Sequence, residues 1–523
     1  MGRTLLPHIW QIYLPALNTL ASDLNVSNTL INLTLTSYMI FQGLAPAFIG
    51  DLADTMGRRP AYAICFVIYI GANIGLALQD SYAALFILRC LQSSGSSGTI
   101  AMTSGVVSDI ATAQERGSYM GLTMLGSLLG PAVGPVIGGL LSQYLGWRSI
   151  FWFLCIMGGV FFVVFAIFFP ETARSQVGNG SIPPVTYSMS LMNYLAIRKA
   201  RRLQRETEKD NDNDTVQSRP EDLRPRPKAH FPNPLSSLAI LYDKLNACLL
   251  FYNAFLFSAF YQVSSSIPSQ FAQIYHFNDL HIGLCFLPYG CGAITAALIN
   301  GQVLDRNFAR WCRNLNVTPR KNRQMDLDNF PIEKARLQIA IPATYATIAL
   351  ILIFGWLIDI SAPLAPVLVV LFFQSLTMSM AFNVVSTLIV DYYPGKSATA
   401  TAANNLTRCL LGAGATAAIV PMINAWGRGV AFTALVAFLV GTSPLMWVVW
   451  FRGMRWRQER SKREVERERE KGRSRGGTLE AGGAIPIVGS TPEQSSRSRE
   501  KLDLVTSRPL VSEGRQSTSR SHD

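Results

Sequence analysis

Two apolar runs, Ile31–Ile49 and Ala61–Leu78, flank the stretch Gly50-Asp51-Leu52-Ala53-Asp54-Thr55-Met56-Gly57-Arg58-Arg59-Pro60. Each run is about long enough to cross a bilayer as a helix. A charged turn with two glycines between such runs is a short loop joining adjacent membrane helices. Runs of similar length recur at Leu5–Leu20, Ala83–Ser104, Met120–Leu141, Ile150–Phe169, Leu245–Ile267, Ile282–Asn300, Leu337–Asp359, Leu364–Val390, Thr401–Asn424 and Val430–Phe451. With the first pair this makes twelve expected membrane helices and an all-α membrane protein.

Charged residues make up only 15% of the chain against 49% hydrophobic, whereas a soluble domain carries roughly 25% charged residues. The excess apolar surface must therefore face lipid. A net charge of +13 would suit nucleic acid, but the basic residues sit in loops between apolar spans. That distribution follows the positive-inside rule and argues against nucleic-acid binding. The eight cysteines form no C-x-x-C pair and read as free, small hydrophobes. No cleavable secretory signal is evident, since Pro7 and Pro15 interrupt the first run. That run opens abruptly at Met1, as expected of a truncated or naturally shortened first helix.

The sequence divides into a first six-helix bundle (1–170), a polar central loop (171–243), a second six-helix bundle (244–451) and a basic tail (452–523). The loop and tail are expected to be partly or largely disordered. The first part of the tail suits either a solvated, salt-bridged segment or a helix near anionic lipid. The halves echo each other: Gly301-Gln302-Val303-Leu304-Asp305-Arg306 follows the eighth run with the G-x-x-x-D spacing of Gly50…Asp54. Such repeats enclose a substrate cavity between the halves. Lys and Arg concentrate in loops after even-numbered helices, which places both termini in the cytoplasm.

The stretch Gly50–Arg59 resembles the loop motif of the major facilitator superfamily, with Gly50, Asp54, Gly57, Arg58 and Arg59 in register and Thr55 departing from the usual basic residue. The resemblance implies the facilitator fold of two pseudo-symmetric six-helix bundles. It also implies a conformational gate in which Asp54 and Arg58 join Asp109, at the end of helix 4. Arg89-Cys90-Leu91-Gln92-Ser93-Ser94-Gly95 resembles a second family motif, which assigns Arg89 and Gln92 to proton coupling. A guanidinium inside the membrane is costly and is paired, wet or working, unless it snorkels to the nearby surface. On helix 5, Gly126, Gly130, Pro131, Gly134, Pro135, Gly138 and Gly139 present a side-chain-free stripe. That stripe resembles the signature separating antiporters from symporters.

Across Gln11–Phe451 the wording is similar to the fungal twelve-helix drug:proton antiporters, in particular the quinidine-resistance subgroup. It rests on Ile12–Leu17, Tyr38–Pro46, Glu115–Ser118, Leu145–Trp152, Pro170–Arg174, Tyr393–Gly395 and Ser397–Cys409. The polar members of the spans are the substrate candidates: Tyr13, Asn18, Gln42, Asn253, Gln262, Asn383, Asn404, Asn405 and Arg408. Asparagines there either bond a neighbouring helix or meet cargo. Arg408 suits an anionic substrate or a carboxylate partner. Asp359 is the one carboxylate expected within the spans, which leaves no obvious proton carrier.

The sequence thus predicts a monomeric, proton-coupled exporter of drugs or secondary metabolites in the plasma membrane. Export of an organic acid such as citrate is the alternative. A non-transporting membrane sensor or scaffold is the rival from another class. No nucleophile elbow, H-E-x-x-H or phosphate loop points to an enzyme, and no cofactor or metal is expected.

Overall fold

The computed structural model describes residues 11–110, 116–173, 177, 188–195, 198, 244–315, 330–392 and 397–480. Its principal helices are α1 (Leu17–Asp23), α2 (Asn28–Met56), α3 (Arg58–Leu78), α4 (Tyr82–Ile110), α5 (Arg116–Leu145) and α6 (Arg148–Phe168). The second half holds α7 (Lys244–Tyr275), α8 (Asp279–Asn314), α9 (Ile332–Asp359), α10 (Leu364–Asp391), α11 (Ser397–Trp426), α12 (Arg428–Thr442) and α13 (Pro444–Glu480). Among the described residues, nine helical spans are long and apolar enough to cross a membrane, with α12 and the start of α13 forming one of them, Arg428–Arg460. The remaining expected spans correspond to α1, to the polar α4 and to α5, whose described apolar part is Ala132–Leu145. Lipid offers the backbone no hydrogen bonds, so each span must satisfy its own amides, and helices do so.

Helix α6 shows how the chain meets lipid. Trp152, Ile156, Val160 and Val163 are exposed along one side, while Phe151, Leu154 and Phe165 are buried on the other. In water such a face would drive aggregation; in hydrocarbon it is the ground state. All eight cysteines are free.

The first expected helix differs from its prediction. Gln11–Tyr13 make a single 3₁₀ turn, and the α-helix begins only at Leu17. Pro15 has no N–H to donate, so a helix cannot run through it undisturbed. The second-half echo also differs. In the first half α2 stops at Met56 because Gly57 turns the chain at φ 101°. Seven residues beyond Gly301 stands Phe308 rather than glycine, and α8 runs on through Gly301–Arg306 to Asn314. Side chains rarely adopt positive φ, so no turn forms there.

Helices α2, α3, α4 and α6 pack together, as do α7, α8, α9 and α10. The two sets meet along α5–α8 and α2–α11. One end of the molecule carries the Gly57 turn; the other carries the α5–α6 turn at Gly146 (φ 80°). Contacts cluster into one compact unit reaching Arg460, and α13 continues as helix from there to Glu480. The first part of the tail, for which a helix is one of two expectations, is thus helical to that point, in a stretch rich in the good helix formers Glu, Arg and Lys. Most of the expected central loop, and residues 481–523, lie outside the described residues.

Candidate functional site: two polar faces and a seam

At the Gly57 face two of the predicted gate residues, Arg58 and Asp109, meet. The Arg58 Nε donates to Asp109 Oδ2 at 3.0 Å, with both side chains about nine-tenths buried. A Cβ on Gly105 would touch the Arg58 guanidinium, so the glycine makes room for it. Asp54 lies on α2, but its side chain is outside the described residues. The structure adds a member that sequence reasoning missed. Glu171 accepts from the Arg58 and Arg59 amides at 2.8 and 3.0 Å, capping α3. Its Oε2 also receives the Ser188 hydroxyl at 2.6 Å, while Arg59 Nη2 reaches the Ala166 carbonyl. A carboxylate at a helix N-terminus is favoured by the free amides and the macrodipole. Its signal was visible: a lone glutamate immediately after an apolar span.

The second half has its own pairs at the corresponding ends. Arg336 at the start of α9 meets Asp391 at the end of α10 at 3.2 Å, and Glu333 meets Arg457 of α13 at 3.0 Å. Arg457 also donates to the Phe330 carbonyl, and Arg460 to that of Tyr392. The expected echo, Asp305 and Arg306, is exposed instead. Asp359 is therefore not the one carboxylate in the spans. Helices α8 and α9 begin earlier than expected, at Asp279 and Ile332, which draws Asp279 and Glu333 into the buried interior. Asp359 itself accepts from the Gly429 amide at 3.1 Å.

At the Gly146 face Asp279 joins the halves. Its Oδ2 accepts the Thr19 hydroxyl of α1 at 2.7 Å and the Ser142 hydroxyl of α5. The Asn18 amide donates to the Pro268 carbonyl beside it, and Asn32 donates to Thr416 further along the seam. The helix 5 stripe explains the close approach. A Cβ on Gly139 would stand 2.5 Å from the Asp279 carbonyl, and one on Gly283 of α8 would stand 2.5 Å from the Pro135 carbonyl. Gly134 and Gly138 face the Ile12 backbone. Gly130 is buried, whereas the Gly126 and Pro131 side positions lie outside the described residues.

Between these two faces lie two guanidinium centres. Arg89 is 1% exposed and sits between the Tyr13 and Tyr38 rings, 4.2 and 4.6 Å from their centroids. It does not snorkel. Its Nη1 donates to Gln92 Oε1 at 2.6 Å, Gln92 donates to Asn73, and Asn73 to the Tyr69 carbonyl. Its Nε and Nη2 have no hydrogen-bond partner among the described residues. Arg408 lies over Phe257 and near Phe382, and gives Nε and Nη2 to Asn405 Oδ1. Asn405 in turn donates to the Gln42 carbonyl across the seam at 3.1 Å. Among the described residues neither arginine is ion-paired to a carboxylate.

The substrate candidates divide accordingly. Tyr13 belongs with Arg89; Gln42, Asn405 and Arg408 form one group. Asn253 links Ser386 and Asn404, and Gln262 donates to the Ala415 carbonyl. Asn18 stands apart at the Gly146 face, and Asn383 lies on α10 one turn before Thr387, which bonds its carbonyl.

Membrane-spanning helices that gather polar side chains along a seam between two halves define a membrane carrier. Residues 5–416 match the Major Facilitator Superfamily, and the chain belongs to that family. It is 45% identical over 453 residues to MFS-type transporter phiD of Fungal sp. (strain ATCC 74256), covering 87% of this chain and 67% of that one. It is 34% identical over 464 residues to Citrate exporter 1 of Aspergillus niger, covering 86% and 84%. The crystal structure of a D-xylose-proton symporter shares the fold, with a TM-score of 0.57 at 14% identity over 85% of this chain and 95% of that one.

Proposed function

We propose that the chain is a proton-coupled antiporter exporting small molecules, drugs or secondary metabolites, by alternating access across the plasma membrane with both termini cytoplasmic. The halves 1–170 and 244–451 are the units that rock, in a monomer. One observation supports the coupling: the Arg89 guanidinium is fully buried, stacked on two tyrosines and, among the described residues, has no carboxylate partner. A charge so placed is sensitive to any proton or anion arriving beside it. Arg58–Asp109 serves as the clamp of the cytoplasmic gate, with Glu171 seating α3. Asp279, with Thr19 and Ser142, serves as the latch of the outer gate. The helix 5 glycines let the seam close without side chains between the backbones.

The test is uptake of fluorescent or labelled cargo into acid-loaded inside-out vesicles. Collapse on adding a protonophore supports antiport, and full transport without a proton gradient refutes it. Binding without flux would return the sensor reading.

Arg408 favours a second reading, export of a carboxylate. It presents an aromatic-backed guanidinium at the seam, and a relative bears the name citrate exporter. Arg408→Ala is then expected to abolish organic-anion transport while sparing cationic drugs.

A further inference from the structure

The segment following Glu171 has two unlike sides. Ser188 and Ser190 are buried, the first held by Glu171 and the second capping the next turn through the Asn193 amide at 3.1 Å. Leu191, Met192, Tyr194 and Leu195 are instead 46–54% exposed, and Arg198 beyond them is exposed and helical. At helical spacing the four apolar side chains share an arc of about 160°. Exposed large apolar side chains clustered on one arc mark a surface that meets something apolar.

The position of the segment says what that is. Glu171 caps the first turn of the membrane span Arg58–Leu78, so Ser188, bonded to it, lies at the end of that span. Leu191 follows three residues later, within about 10 Å by chain reach. An apolar arc at this level, closed by a guanidinium, fits the boundary between acyl chains and acidic headgroups. A span's end lies at the headgroup level, and a guanidinium is costly in the core of the bilayer, so the boundary is the favoured place for this arc.

We propose that residues 188–195 with Arg198 are a lipid-docking element for an anionic bilayer surface. Leu191, Met192 and Leu195 enter the acyl boundary, Tyr194 sits at headgroup level and Arg198 meets the acidic lipid. Docking holds Ser188 against Glu171, so the charge of the leaflet is felt at the cap of α3. This inference does not depend on the cargo or on proton coupling.

The experiment is hydrogen–deuterium exchange of the full chain in nanodiscs of phosphatidylcholine alone or mixed with phosphatidylserine. Amides of residues 189–198 are expected to exchange about fivefold more slowly in the anionic discs, the effect of one basic side chain at an acidic surface. Leu191→Glu/Leu195→Glu is expected to remove protection in both discs, with peptides of α3 beyond its first turn unchanged as the folding control. Equal exchange of the unmodified chain in the two discs overturns the proposal, and so does unchanged protection in the double variant. The first comparison needs no variant, so a misfolded mutant leaves it standing.

Discussion

Replacing Asp279 by Ala isolates the energy that holds the Gly146 face shut. Its Oδ2 takes two hydroxyl donors, Thr19 from α1 and Ser142 from α5, across the seam between the halves. A hydrogen bond to a charged acceptor contributes about 1.5–3 kcal/mol. Thr19 is only part-buried and regains water when the face opens, which discounts its share. A loss of about 2–3 kcal/mol for the pair shifts the closed-to-open ratio roughly 30- to 150-fold. Ser269→Cys, beside the Asn18–Pro268 contact, reports opening through its rate of labelling by an impermeant maleimide. Ser269 is 9% exposed in the closed state, so labelling is expected to accelerate by at least tenfold in the Asp279→Ala background. Asp279→Asn, which keeps an acceptor oxygen without the charge, is expected to fall between. Labelling within twofold of the parent would show that the latch carries no weight and that packing alone closes the face.

Asp109→Asn removes one negative charge from beside the mostly buried Arg58 guanidinium. A destabilisation of the proposed gate at the Gly57 face by about 2–3 kcal/mol is expected, read as faster labelling of cysteines near Gly57 and as loss of transport. Arg89→Lys keeps the charge but loses the planar stacking on Tyr13 and Tyr38. Cation–π contacts in a desolvated site are worth about 2 kcal/mol, so transport should drop by at least tenfold while expression is retained. Gly139→Ala forces a Cβ against the Asp279 carbonyl and is expected to lower thermal stability in detergent by about 1–3 kcal/mol, whereas Gly159→Ala, which meets nothing within 4 Å, should be neutral. A double-mutant cycle on Arg336 and Asp391, read by thermal unfolding, is expected to show a coupling of about 1 kcal/mol or more.

Much of this molecule was legible from one dimension. A bilayer removes water from the backbone, so an apolar run of the right length has helix as its only local solution. Nine of the expected spans, the sharp turn at Gly57 and the likeness of Gly50–Arg59 to a facilitator loop all follow from neighbours in sequence. So does the prominence of Arg89, because charge inside an apolar run stands out wherever the run folds.

What sequence reading missed are partnerships between distant residues. Asp279 and Thr19 are separated by 260 positions, and nothing in either neighbourhood announces the other. Glu171 reads as the end of a span until the chain returns it to the first turn of α3. The second half was misread because Gly301…Asp305 copies the spacing of the first half but lacks the glycine that turns the chain. The ion pairs formed instead at Arg336–Asp391 and Glu333–Arg457. Local chemistry chose the helices, since each satisfies its own amides. Only packing chose which side chains face each other across a seam, because a buried polar group binds whatever donor the neighbouring helix presents.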